Sequence, residues 1–163
     1  MPQKNPGATR NSVVLWLSVL LNHRIELLEK EEYTLEANRH LRELISRLLW
    51  KHSEADGKYV GCRFWSLGAI QSHRHHGRVV TSLSEFPTDA LRHEHLVPRH
   101  QLTSLLIELE SPTEERVKSL LEDLNVGVVV TVSEHDLLAE SGNEADPWQR
   151  YRDAGVEWED TRR

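Results

Sequence analysis

The amino-acid sequence predicts a helix-rich α+β domain, an N-terminal helical hairpin followed by a smaller strand-containing C-terminal half. Three observations carry this expectation. Apolar residues recur at three- and four-residue steps across residues 11–53; Val126-Gly127-Val128-Val129-Val130-Thr131-Val132 is an apolar, β-branched run; and the 163 residues are 38% hydrophobic and 28% charged. The first spacing marks one face of a helix, and the second a buried strand. The composition is that of a folded globule, which at this length buries about two-thirds of its unfolded surface. One domain suffices, with residues 1–10 as a frayed terminus, 11–53 as the hairpin and 60–163 as the α+β portion.

Taken in order, Asn11 is a suitable N-cap for a helix whose apolar positions run through Leu17, Leu20, Leu21, Ile25 and Leu28. A break at residues 31–34 separates it from a second helix through Leu35, Leu41, Leu44, Ile45, Leu48 and Leu49, and the two should pack antiparallel. Residues 53–57 signal a turn. Residues 65–75 suit a short helix with Ser66 at its start and Gly77 at its end. Residues 82–88, with Pro87 inside, read as a loop, and residues 91–97, preceding Pro98, are biased to extended backbone. A helix follows over 101–109. Ser111-Pro112-Thr113-Glu114 then offers a cap, a first-turn proline and a capping-box glutamate for a helix to Leu124. After the apolar strand, 133–139 read as a short helix, and Asp146-Pro147-Trp148 open a last one that Gly155 closes.

The net charge of −6 is unevenly spread. Residues 1–62 carry 9 Lys/Arg and 8 Asp/Glu, residues 63–100 carry 5 and 3, and residues 101–163 carry 6 and 15. The middle block also holds six of the ten histidines, so its charge rises on mild acidification. The acidic remainder argues against broad nucleic-acid affinity, while a local cationic groove remains compatible with phosphate contacts. A single cysteine, Cys62, excludes an intrachain disulfide and a multi-cysteine zinc site, and suits a reducing cytoplasm. Lys4 and Arg10 before the apolar run of residues 13–21 imitate a signal peptide. No small-residue cleavage site follows, and the run is too short for a bilayer, so a buried helix and no membrane partner are expected.

The segment His93-Glu94-His95-Leu96-Val97-Pro98-Arg99 draws most notice. Glu94-His95-Leu96-Val97-Pro98, followed by Asn125, an apolar strand and His135 on a helix, resembles the core of the HNH, or ββα-metal, nucleases. The resemblance covers residues 91–138. It implies a divalent cation (Mg²⁺, Mn²⁺, Zn²⁺ or Ni²⁺) held by Glu94 and His135, with Asn125 orienting the base or the metal and His95 acting as general base on DNA or RNA. Such hydrolysis needs a deprotonated water in line with the scissile bond and a cation on the departing oxygen. Neighbours on a strand point to opposite faces, so Glu94 and His95 share a site only at a bulge or strand end. His93 and His95, two apart, share a face and form the alternative pair. Arg99 joins them as a catalytic candidate. The interval before Asn125 is longer than the family usually has, the flanking cysteine pairs are missing, and the last helix offers one histidine where many members have two.

Lesser candidates are His73-Arg74-His75-His76, which suits a metal or phosphate, and Arg47 with His52, which have the Arg-x4-His spacing of the HEPN ribonucleases but Leu48 where a polar residue is favoured. Trp148 and Tyr151, with Arg150 and Arg152, suit the docking of a partner. Two functional classes follow: a small metal-dependent nuclease, or a non-enzymatic regulatory or defence-associated protein whose N-terminal helices mediate self-association or hold a protein partner.

Overall fold

The computed structural model describes residues 5–30, 32–139 and 146–162. It is helix-rich α+β with N-terminal helices, as the sequence predicts, and its strands form a four-stranded mixed sheet. The chain divides into two compact units, residues 1–55 with 97–126 and residues 56–96 with 127–163.

The first unit is helical. Helix α1 (Pro6–Glu29) starts earlier than expected. Asn5, not Asn11, is its cap, accepting from the Ala8 amide at 3.2 Å, and Pro6 fills the first turn where its missing N–H costs nothing. Of the terminus expected to fray, residues 1–4 lie outside the described residues, whereas residues 6–10 are helical. Helix α2 (Leu35–Ser53) follows the anticipated break, capped by Thr34. Helix α4 (Arg99–Ile107) lies in the same unit, as does helix α5 (Glu114–Leu124). The cap of α5 is Thr113 rather than Ser111. The Ser18 hydroxyl donates to the Pro112 carbonyl at 2.6 Å, which ties the preceding peptide to α1 and leaves the Thr113 hydroxyl to accept from Arg116 N. Val13, Leu17 and Leu21 of α1 pack with Leu41, Ile45 and Leu49 of α2, Leu102 and Leu106 of α4, and Val117 and Leu121 of α5. Of the apolar positions expected from the spacing, Leu17, Leu21, Leu41, Ile45 and Leu49 are core, whereas Leu28, Leu35 and Leu44 are exposed.

The second unit carries the sheet, in the order β2-β3-β1-β4. Strand β1 (Phe64–Ser66) runs parallel to β3 (Gly127–Thr131) and antiparallel to β4 (Trp158–Asp160), while β2 (Leu91–His95) runs antiparallel to β3. The predicted strand β3 is buried along its whole length. Strands β1 and β4 were not legible, because three residues hold no period. Helix α3 (Leu67–His76) is capped by Ser66 and stopped at Gly77, whose φ of 63° is left-handed. Helix α6 (Val132–Ala139) follows β3 directly, and α7 (Gln149–Asp153) stops before Gly155 at φ 67°. Among the described residues, no helix is long and apolar enough to cross a membrane.

Candidate functional site

Strand β2 separates its side chains by alternation. His93 and His95 are buried on one face, with ring centroids 5.2 Å apart. His93 Nδ1 lies 2.7 Å from the Lys58 carbonyl and 3.5 Å from Cys62 Sγ. A carbonyl only accepts, so the imidazole carries its proton on Nδ1 and donates it there. The ring rests on Gly127 of β3, where a Cβ would stand 2.5 Å from His93 Cε1. This close approach explains why the valine-rich strand opens with glycine.

The opposite face of β2 carries Glu94. Its Oε1 accepts from Arg150 Nη2 at 2.5 Å, and the same nitrogen donates to the His95 carbonyl at 2.5 Å. Its Oε2 lies 3.3 Å from His135 Nε2, whose ring is 40% exposed. The Arg150 guanidinium is buried, 5.2 Å from the Tyr151 ring centroid. Burial, reinforced by the charge of Glu94, pushes the Tyr151 phenol well above its ordinary value and keeps it neutral. Arg150 and Tyr151 are therefore internal, which corrects the expectation that they dock a partner. The third aromatic, Trp148, stacks on Trp158 at 4.4 Å and 10°.

The structure thus brings Glu94 and His135 together and places His93 and His95 as a pair on the other side of the strand. Helix α6 packs against both β2 and β3, and α4 and α5 intervene between the two strands along the chain. No bulge turns His95 toward Glu94, because β2 pairs with β3 in unbroken register from Leu91↔Thr131 to His95↔Gly127. Asn125 and Arg99 belong to the helical unit. The Asn125 amide donates to the Leu49 carbonyl at 3.0 Å and lies 3.2 Å from His52 Nδ1, fastening the end of α5 to α2. Arg99 donates to Ser46 Oγ at 3.2 Å and stacks 4.8 Å over the Trp50 ring. Among the described residues, no three His, Cys, Asp or Glu side chains gather as a metal site.

Chemically, the Glu94 carboxylate already holds a cation, the guanidinium of Arg150. Sequence reasoning missed this partner because 56 residues separate the two. The signal was Arg150, one of two arginines interleaved with Trp148 and Tyr151, a pattern that reads equally well as surface.

The remaining candidates lie on α2 and α3. His52 is buried and Arg47 exposed, on different sides of α2. His73, His75 and His76 occupy the last turns of α3, where basic groups suit the helix dipole. His76 Nε2 meets Asp89 Oδ2 at 2.9 Å, a bond that holds the Asp89 carboxyl below the usual range, and His73 packs edge-on to Trp65. Compared with protein-family models, curated proteins and solved structures, the chain matches none of them.

Proposed function

We propose that the protein is a non-enzymatic interaction module that self-associates through α1. The observation that carries this reading is the outer face of that helix. Leu15, Trp16 and Val19 are 47%, 58% and 50% exposed, on the side opposite Val13, Val14, Leu17 and Leu21. A helix apolar on both sides is one that buries both, and contiguous exposed apolar side chains mark an interaction surface. A second copy in antiparallel contact supplies what the helix lacks. The first turn of α1 carries no acidic residue and its last turn no basic one. Glu26 and Glu29 instead sit near the negative end of the helix dipole. Antiparallel pairing sets those carboxylates beside the positive N-terminus of the other copy, and a two-fold dimer repeats the contact on both sides. The Arg150–Glu94 pair agrees with this reading, since it gives the carboxylate a partner other than a metal.

Sedimentation equilibrium across about 1–100 µM, a range typical for interfaces of modest size, tests the proposal. The wild type is expected to dimerise and Trp16→Glu to remain monomeric with unchanged circular dichroism. A wild type that stays monomeric throughout removes the reading.

One observation favours a metal-dependent nuclease acting on DNA or RNA, the approach of Glu94 to His135 beneath α6. Calorimetric titration of metal-stripped protein with Mn²⁺, Ni²⁺ and Zn²⁺ separates the two. The interaction reading expects no stoichiometric binding, whereas binding lost in Glu94→Ala/His135→Ala would move the assignment to the nuclease.

A further inference from the structure

The helical unit contains a cationic groove between α2 and α4, with a volume of about 650 Å³. This lies within the range of roughly 300–1,000 Å³ common to small-ligand sites. Arg39, Arg42 and Arg99 line it with His100, against one carboxylate, Glu43. In a chain of net charge −6, a cavity with three arginines and one acid is a local inversion of sign. Two of the arginines are held in place. Arg99 is fixed by Ser46 and the Trp50 ring, and Arg42 donates to Ser104 Oγ at 3.3 Å. Arg39 is exposed at the rim, 3.7 Å from Glu36, a pairing weak enough in water for a ligand to displace. Helix α4 opens into the same groove. Its cap position is Pro98, which has no side-chain acceptor for the first-turn amides, so the positive helix end adds to the arginines. Leu35, 90% exposed, supplies an apolar edge.

We propose that this groove binds a phosphomonoester carried on a small apolar or aromatic group, of the size of a mononucleotide. Planar guanidinium forks match the oxygens of a terminal phosphate, which presents more charge and more acceptors than a diester. The inference is independent of self-association through α1.

Titration calorimetry on the full chain tests it with AMP, adenosine, and a hexanucleotide bearing either a 5′-phosphate or a 5′-hydroxyl. AMP is expected to bind and adenosine not to. Arg39→Glu/Arg42→Glu, which alters two surface side chains, should weaken AMP at least tenfold. Arg47→Glu, on the same helix but outside the groove, changes the charge without touching the site and should have less than a twofold effect. Tighter binding of AMP than of the 5′-phosphorylated hexanucleotide assigns a free ligand, and the reverse assigns a nucleic-acid end; both uphold phosphomonoester recognition. Failure of AMP to bind, equal binding of adenosine, equal binding of the 5′-hydroxyl hexanucleotide, or equal weakening by Arg47→Glu overturns it.

Discussion

Arg150→Ala is expected to lower stability by about 3–5 kcal/mol, the cost of removing one partner of a buried ion pair. One guanidinium nitrogen serves both Glu94 Oε1 and the His95 carbonyl, so alanine leaves a carboxylate and a carbonyl without their donor inside the sheet-bearing unit. At this chain length each kcal/mol shifts the melting temperature by about 2–4 °C, giving a fall of roughly 10 °C in thermal unfolding followed by circular dichroism. Glu94→Leu/Arg150→Met should recover most of that loss, because removing both charges also removes their desolvation cost. A single variant melting within about 2 °C of wild type would mean that solvent already screens the pair.

Gly127→Ala is expected to cost about 1–3 kcal/mol, the usual penalty of overpacking. The new methyl would stand 2.5 Å from His93 Cε1, 2.7 Å from Nε2 and 3.1 Å from Cys62 Sγ. The ring is anchored by its bond to the Lys58 carbonyl, so relief requires giving up that bond or moving β3. Chemical denaturation of Gly127→Ala, His93→Ala and the double variant checks this. The double variant should be more stable than the sum of the single losses implies, since the smaller residue at 93 makes room. Strict additivity would place the strain elsewhere.

The helices were legible because burial follows their period at most positions, although Leu28, Leu35 and Leu44 are exposed. Leu17, Leu21, Leu41, Ile45 and Leu49 are core residues in the positions their spacing assigns. The cap Ser66 and the stops Gly77 and Gly155 could be read from local chemistry alone. Thr113 could not, because its selection over Ser111 depends on Ser18, 94 residues from Pro112. The site was partly legible for the same reason. Alternation on β2 puts His93 with His95 and Glu94 on the reverse face, whereas the partners on that face come from α6 and α7, whose approach no local pattern encodes. Asn125 had a place in the motif by order along the chain, and its amide is used to close a helix end.

The passage from β2 through α4 and α5 to β3 has a kinetic consequence. Each unit is assembled from two separated stretches of chain, so neither is complete when its first stretch leaves the ribosome. Strand β1 finds its parallel neighbour only after about sixty further residues have been made, from Phe64 to Val128. Until α4 and α5 emerge, α1 and α2 also lack part of their core. Pairings so distant close slowly, and the nascent hairpin meanwhile exposes apolar surface of the kind chaperones hold.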